Sequence, residues 1–272
     1  MSVCTLGDLV LDVIVRLRQP LAPGADATSE IALSAGGQAA NVAAWVAALG
    51  GRARWIGKRA DDDAGRIAAG RLSRLGVALA GPVAAAGNGI VVSLVAPDGE
   101  RSMCPDRGVA PELRAEELDP AWLDGCDWLH VSGYALLRDP IAGAAAAAVG
   151  LARDRGAGVS VDLSSWSAIR DRGPERFRGE LLALAPDVVF ANEAEERILG
   201  GPLPGARWIA KRGARGCSFE GEVRAALPVA RVVDTTGAGD ALAAGWLVGG
   251  PDLALEAAAR CVQRSGSMPA LT

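Results

Sequence analysis

Residues 232–248 read VVDTTGAGDALAAGWLV, and this stretch decides how the chain is interpreted. It predicts a strand over residues 229–233, a loop, and a helix over residues 241–248. Gly237 and Gly239 remove Cβ atoms from the turn, and the first amides and positive dipole end of a helix attract anions. Asp240 would stand in the first helical turn, where it could take a proton from a hydroxyl that attacks a bound phosphate. The alternative is an Asp near a helix start, with glycines that only make the turn.

The chain upstream alternates strands with helices. Apolar strand candidates lie at residues 128–131, 159–161, 188–191 and 208–210. Helical segments fill the gaps, including an alanine tract over residues 144–148, so the sheet is predicted to be parallel. Polar or small residues follow the strands: Ser132, Gly133, Asp162, Asn192, Glu193, Lys211 and Asp234. Because ligands of open α/β sheets bind beyond the carboxyl ends of the strands, these residues are predicted to face one crevice.

The first hundred residues predict a second pattern. Residues 3–15 are interpreted as one strand, and Gly36-Gly37 opens a helix whose apolar stripe is Val42, Trp45, Val46 and Leu49. Residues 53–57 and 64–75 form a strand and helix unit. Residues 89–96 and 100–103 flank the turn Pro97-Asp98-Gly99 and predict a hairpin, because Asp-Gly readily takes the positive φ angles found in tight turns.

Composition excludes several classes of protein. The 272 residues carry a formal net charge of −4 and are 50% hydrophobic, which disfavours a disordered chain and a nucleic-acid partner. Two uncharged stretches, residues 31–51 and 77–97, contain glycines and polar residues that a membrane span could not satisfy. The five cysteines lack zinc or redox spacings, so a reducing cytoplasm is expected. The chain has neither a dinucleotide fingerprint nor a P-loop, and its single histidine, His130, is predicted to be a core or crevice residue.

Two distant motifs resemble one family, the ribokinase-like (PfkB) carbohydrate kinases. Residues 36–43, Gly-Gly-Gln-Ala-Ala-Asn-Val-Ala, are similar to the amino-terminal signature of that family, and residues 234–240 to its carboxy-terminal signature. The resemblance implies a single kinase domain over residues 1–272. Its expected fold is a three-layer αβα sandwich with a mainly parallel central sheet and a small β-sheet lid, formed by segments near residues 17–33 and 89–103.

The resemblance also implies roles on the nucleotide side. Asp240 would be the catalytic base, and the backbone of Gly237, Ala238 and Gly239 the anion hole. The other residues matched on this side would bind ATP (Asn192, Lys211, Gly213 and Gly216), hold Mg²⁺ through water (Asn192 and Glu195) or bind K⁺ (Asp234 and Thr236). From the residues alone, a capped helix at Asn192, an ordinary loop at Gly213 and structural capping at Asp234 remain alternatives.

On the acceptor side, the resemblance matches Asp12, Gly36, Gly37 and Asn41 to positions that hydrogen-bond substrate hydroxyls. A carboxylate in an apolar strand needs such partners. Arg107 could pair with a substrate carboxylate, or belong to a solvated charge cluster. Lid strands of this family often pair between subunits, which implies a homodimer.

The function expected is ATP- and Mg²⁺-dependent transfer of the γ-phosphoryl group to a primary hydroxyl of a small sugar or sugar acid. A nucleoside kinase of the same fold and a catalytically idle sugar-binding paralogue are the alternatives. Acceptor identity depends on lid side chains that spacing cannot place.

Overall fold

The computed structural model describes residues 1–270. Its strands are β1 (Ser2–Leu6), β2 (Val10–Leu17), β3 (Ser29–Gly36), β4 (Arg52–Ile56), β5 (Arg59–Ala60), β6 (Ala78–Ala80), β7 (Val83–Ala84), β8 (Asn88–Val95), β9 (Arg101–Gly108), β10 (Trp128–Ser132), β11 (Gly158–Asp162), β12 (Val188–Asn192), β13 (Arg207–Lys211), β14 (Cys217–Phe219) and β15 (Glu222–Arg224). Its α-helices are α1 (Gln38–Ala48), α2 (Asp63–Arg74), α3 (Gly133–Leu136), α4 (Ile141–Arg153), α5 (Trp166–Arg172), α6 (Pro174–Leu184), α7 (Glu193–Leu199) and α8 (Ala238–Val262).

A nine-stranded sheet forms the centre of the molecule, in the order β15-β14-β13-β12-β11-β10-β1-β4-β6. The strands from β13 to β6 are parallel, and β14 and β15 are added antiparallel at one edge. The parallel order places the carboxyl ends of β10 to β13 side by side. The predicted strands at residues 128–131, 159–161, 188–191 and 208–210 are therefore confirmed.

Helices cover both faces of this sheet and bury two apolar clusters. One cluster joins α1, α2 and α8 to the sheet, and the other joins α3 to α7 to the opposite face. Three residues of the predicted stripe, Val42, Trp45 and Val46, are buried in α1, which packs against α8. The fourth, Leu49, follows the helix and is half-buried. The three-layer αβα architecture is confirmed.

A small sheet lies apart from the central one, with the strand order β3-β2-β8-β9. The interpretation of residues 3–15 as one strand is wrong, because β1 belongs to the central sheet and β2 to the small sheet. Gly7 stands at the break, where an added Cβ would lie 2.9 Å from the Cβ of Ser132. The small sheet also begins before residue 17 and extends to Gly108, beyond the segments 17–33 and 89–103 expected from sequence.

The predicted hairpin is present as β8 and β9. Its connection lies at the predicted residues Pro97-Asp98-Gly99, because Ala96 N donates to Glu100 O (2.8 Å) and Gly99 N to Ala96 O (2.9 Å). Residues 97–99 therefore form a three-residue loop, with Gly99 at φ 92°.

The strand predicted over residues 229–233 is absent from the structure. Val233 N and Asp234 N both donate to Val262 O, at the end of α8, so this backbone pairs with a helix end and with no strand. The helix that follows is confirmed, and its regular geometry breaks at Gly249 and Gly250, where the sequence predicts its end. Within residues 1–270, no helix has the length and apolar character needed to cross a membrane.

Candidate active site

Asp240 lies in the first turn of α8, directly after the glycine turn. Gly237 precedes the helix with φ 78°, and an added Cβ there would lie 2.6 Å from Cα of Ser267. The Ala238 N–H turns back to Thr235 O at 3.3 Å. The N–H groups of Gly239 and Asp240 stand in the first turn, where a helix offers no carbonyl partner. The turn thus presents unpaired backbone donors next to a carboxylate.

Asn41 joins the two signature motifs. Its Nδ2 donates to Asp240 Oδ2 at 2.7 Å, and its Oδ1 accepts from Ser267 Oγ at 2.9 Å. Ser267 also accepts at its carbonyl from Trp45 Nε1 at 2.8 Å. The Asp240 carboxylate is therefore held by a residue of α1, which is in turn held by the turn that follows α8.

Burial raises the pKa of Asp240 to about 7, and the negative charge of Asp162 adds to the rise, whereas Asn41, Lys211 and Gln38 oppose it. A carboxyl group with this pKa is about half ionised at neutral pH. It can therefore accept a proton there and release it again, as a general base must.

Lys211, at the end of β13, neutralises part of a buried acidic cluster. Its Nζ donates to Asp162 Oδ2 at 2.6 Å. Burial alone would lower the pKa of Lys211, but the carboxylates of Asp162 and Glu195 outweigh this effect, and its pKa is raised. An added Cβ on Gly239 would lie 3.4 Å from the Lys211 ammonium. The ammonium therefore lies against the glycine turn, where it would face an incoming phosphate.

A cavity of about 620 Å³ opens beside this turn. Its polar end contains the four residues predicted to bind ATP, together with Gly239, and the remaining walls are mainly apolar. The lining residues are Asn192, Lys211, Gly213, Ala214, Gly216, Ala226, Leu227, Pro228, Val229, Val232, Thr235, Ala238, Gly239, Leu242, Leu255, Ala258, Ala259 and Val262. An apolar pocket with a few polar groups at one end suits a base or sugar ring with an attached phosphate chain. Val229 and Val232 line this cavity, which accounts for the apolar residues mistaken for a strand.

Asn192 and Glu195 form a capping box at the start of α7. Asn192 Oδ1 accepts from Ala194 N and Glu195 N, both at 2.9 Å, and Glu195 accepts from Asn192 N (2.8 Å) and Nδ2 (2.7 Å). The capped helix at Asn192, which the sequence left open as an alternative, is therefore present. Glu195, however, is buried, since it is only 1% exposed. Burial raises the pKa of Glu195, with a further contribution from Asp162.

The charge of this region suits a divalent cation. The carboxylate of Asp162 helps to raise the pKa of Glu195 and of Asp240, and the Lys211 ammonium opposes both shifts. A triphosphate would add further negative charge. Mg²⁺ retains several waters and binds through few carboxylates together with substrate phosphates, so a water-mediated position near Glu195 fits these residues.

On the acceptor side, Asp12 and the Gly36-Gly37 pair lie together. Asp12 pairs with Ser34 across β2 and β3, and an added Cβ on Gly36 would lie 2.3 Å from Asp12 Oδ2. Gly37 has φ 99°, and its added Cβ would lie 2.3 Å from Asp8 O. Burial raises the pKa of Asp12 to about 6, against the opposing charge of Arg101. Among residues 1–270, no side chain or amide donates a hydrogen bond to the Asp12 carboxylate.

Arg107 is held by a carboxylate of this chain. Its Nε donates to Asp8 Oδ2 at 2.6 Å and its Nη2 to Asp8 Oδ1 at 2.8 Å. Nη2 also contacts Tyr134 O at 3.2 Å. Of the two alternatives for Arg107, the solvated charge cluster does not match the structure, because the Arg107 side chain is 20% exposed and pairs with Asp8. The pairing with a substrate carboxylate stays a prediction.

Asp234, matched together with Thr236 to a possible K⁺ site, accepts hydrogen bonds from three nitrogen donors, one of which is the backbone N of Thr236. Asp234 Oδ1 accepts from Thr236 N at 2.9 Å, while Oδ2 accepts from Gly266 N at 2.9 Å and Arg101 Nη2 at 2.8 Å. Burial would raise the pKa of Asp234, but the bonds from Gly266, Thr236 and Arg101 outweigh it, and its pKa is lowered.

Sequence reasoning assigned no role to Gln38, Arg101 and Ser267, and it predicted for Asp162 only that it faces the crevice. Asp162 was visible as a carboxylate at a strand end, and Gln38 stands inside the amino-terminal motif, where its Oε1 accepts from Ser132 Oγ at 2.6 Å. Arg101 and Ser267 carry no local signal, because their contacts are to residues more than a hundred positions away. His130 is buried as predicted, with Nδ1 2.9 Å from Ser160 Oγ.

This combination of a parallel sheet, a small second sheet and a carboxylate after a glycine turn defines a ribokinase-like protein. The family model described as pfkB family carbohydrate kinase matches residues 1–270. The chain therefore belongs to the pfkB family of carbohydrate kinases.

Comparisons with individual proteins agree with this membership. The chain is 34% identical to an ATP-dependent ribose-1-phosphate kinase of Halopiger xanaduensis, over 95% of this chain and 90% of that protein. It is 30% identical to a fructokinase of Escherichia coli, over 91% and 84% of the two chains. The structure of adenosine kinase from Sinorhizobium meliloti superposes with a TM-score of 0.84 at 25% identity, covering 98% of this chain and 95% of that one.

Proposed function

We propose that this protein transfers the γ-phosphoryl group of ATP to a primary hydroxyl of a small sugar or sugar acid, with Asp240 as general base. The observation that carries the proposal is the position of Asp240. Its carboxylate is bonded to Asn41, which matches an acceptor-binding position, and it follows Gly239, which lines the nucleotide cavity. Asp240 therefore stands between the two compartments that a phosphoryl transfer must connect.

In the proposed reaction the acceptor hydroxyl gives its proton to the Asp240 carboxylate. The acceptor oxygen forms a bond to the γ-phosphorus as the bond from that phosphorus to the β,γ-bridging oxygen breaks, and ADP leaves. The N–H groups of the glycine turn and the Lys211 ammonium stabilise charge on the transferred group. Asn41 and Gln38 keep the carboxylate oriented.

ATP fits the cavity of about 620 Å³, which has apolar walls for the base and Lys211 and Asn192 at the phosphate end. Mg²⁺, when bound, would neutralise charge on the phosphate oxygens. Asn192 and Glu195 would hold it through water, consistent with their position beside Lys211 and Asp162.

The acceptor is proposed from the polar residues around Asp12 and Asn41, which can hydrogen-bond a polyol. The experiment is an ATP-consumption assay with fructose, ribose 1-phosphate, keto-deoxy sugar acids, pentoses and adenosine. We expect turnover with at least one sugar or sugar acid, and its loss in Asp240→Asn. Turnover with adenosine alone would assign a nucleoside kinase. ATP binding without turnover on any acceptor would favour the idle paralogue.

A homodimer in the cytoplasm completes the proposal. The small sheet has two free edge strands, β3 and β9, which are able to pair with another strand. Several of its large apolar side chains are exposed: Ile31, Leu33, Ile90 and Met103. We expect a dimer by light scattering after gel filtration and a monomer for Ile31→Asp. A monomeric wild-type protein would contradict this part of the proposal. The cytoplasmic location is consistent with five cysteines that form no disulfide.

A further inference from the structure

Asp234 connects the small sheet to both turns that surround the candidate base. Its carboxylate accepts from Thr236 N, at the start of the glycine turn, and from Gly266 N, in the turn after α8. The residue after Gly266 is Ser267, which donates to Asn41, and Asn41 donates to Asp240. The orientation of Asp240 therefore depends on turns that Asp234 holds together.

The charge of Asp234 is compensated from the small sheet. The Asp234 side chain is 5% exposed, and a buried carboxylate is costly without a positive partner. Arg101 Nη2, at the start of β9, lies 2.8 Å from Asp234 Oδ2, and Arg16 Nη2, in β2, lies 3.8 Å from the same oxygen. Arg16 also donates to Ser265 Oγ. Two guanidinium groups of the small sheet thus surround one carboxylate of the core.

This arrangement does not fit a monovalent cation bound by Asp234. A cation of this kind needs oxygen lone pairs, and an ionised carboxylate has about four lone-pair positions. Three are already filled by Thr236 N, Gly266 N and Arg101 Nη2. A K⁺ ion at Asp234 would also be repelled by Arg101 and Arg16. The K⁺ site implied by the family resemblance is therefore not supported by these residues.

We propose that Arg101 is a positioning residue that supplies, from the small sheet, the positive charge that Asp234 requires, so that turnover is independent of K⁺. Arg101 acts through Asp234 on the glycine turn and, through Gly266 and Ser267, on Asn41 and Asp240. The position of the small sheet and the geometry of the anion-binding turn are consequently coupled. This inference rests on the proposed kinase function.

The test compares wild type with Arg101→Met, which keeps much of the apolar stem, and Arg101→Lys, which restores the charge. Arg18→Met is the matched control, because Arg18 follows β2 and its side chain pairs, within residues 1–270, with exposed Glu30 alone. We would measure kcat, KM and melting temperature in KCl and in tetramethylammonium chloride at equal ionic strength. The melting temperature needs no turnover, so it still reports on the inference if no acceptor is phosphorylated.

We expect wild type and Arg18→Met to show the same kcat and the same melting temperature in both salts. Arg101→Met should lose about tenfold in kcat in tetramethylammonium chloride and recover severalfold in KCl, with a higher melting temperature in KCl. Arg101→Lys should behave as wild type does. A higher kcat of wild type in KCl than in tetramethylammonium chloride would overturn the inference. An Arg101→Met protein with the same kcat and the same melting temperature in both salts would also overturn it.

Discussion

Asn41 and Asp240 are 199 residues apart in the chain, yet Asn41 Nδ2 donates a hydrogen bond to Asp240 Oδ2 at 2.7 Å. This bond brings the start of α1 to the start of α8. It stabilises the ionised form of Asp240, while burial and Asp162 favour the protonated form. The balance between these effects makes Asp240 suitable as a base near neutral pH, and the following predictions depend on it.

The pH dependence of kcat/KM should show this balance directly. With the pKa of Asp240 raised to about 7, activity should be maximal above pH 7 and fall about tenfold per unit below it, because the protonated carboxyl cannot accept a proton. The pKa of Asp12, raised to about 6, should add a second, lower inflection that Asp12→Asn removes. Constant activity down to pH 5 would contradict the assignment of Asp240.

Lys211→Met should move the upper inflection to higher pH. Lys211 lowers the pKa of Asp240, so its loss should raise that pKa by roughly one unit. The KM for ATP should rise as well, because Lys211 lines the nucleotide cavity. Lys58→Met is the control, since Lys58 is the only other lysine and pairs with Glu117. An unchanged inflection in Lys211→Met would place the titrating group elsewhere.

Asp240→Asn should increase the stability of the protein at alkaline pH. The pKa of Asp240 is about 7 in the folded protein, against 3.8 for an ordinary aspartate. The stability that protonated Asp240 contributes is therefore fully present below about pH 4 and is lost as pH rises through 7. The neutral amide avoids this loss, a gain of up to about 4 kcal/mol at pH 8, because each pKa unit represents about 1.4 kcal/mol. Chemical denaturation at pH 8 and at pH 4 measures the difference. Equal free energies of unfolding for wild type and Asp240→Asn at pH 8 would show that ionised Asp240 does not destabilise the folded protein.

Gly237→Ala should disrupt the turn more than an equivalent change elsewhere. Gly237 has φ 78°, and its added Cβ would lie 2.6 Å from Ser267 Cα. Gly205 has a similar φ of 84° with nothing within 4 Å, so Gly205→Ala carries the backbone strain without the clash. We expect the free energy of unfolding of Gly237→Ala to be about 2 kcal/mol lower than that of Gly205→Ala. We also expect Gly237→Ala to lose about a hundredfold in kcat. If Gly237→Ala and Gly205→Ala had the same free energy of unfolding and the same kcat, the close contact of Ser267 with Gly237 would contribute to neither stability nor activity.

Much of this architecture could be predicted from the sequence because its signals are local. Apolar runs of the length of β10 to β13, followed by polar residues, predict parallel strands and the edge where the site lies. The glycine turn before α8 is similarly visible, since it needs residues without Cβ atoms at Gly237.

The errors arose where tertiary contacts override local pattern. Residues 3–15 have the composition of one strand, but the chain turns at Gly7, where it packs against Ser132, and continues in another sheet. Residues 229–233 are apolar because they line the nucleotide cavity, which a periodicity argument cannot distinguish from a strand. The pairing of Arg101 with Asp234 joins residues 133 positions apart, and nothing near either residue predicts it.

The most direct test of the central claim is the kcat of Asp240→Asn, measured with the acceptor that wild type phosphorylates, beside the affinity for ATP from calorimetry. Asp252→Asn is the control, because Asp252 lies in the same helix with its side chain 87% exposed. If Asp240 is the base, its substitution should lower kcat about a thousandfold and leave the ATP affinity within about threefold of wild type. An Asp240→Asn protein that retains more than about a tenth of the wild-type kcat would contradict this account.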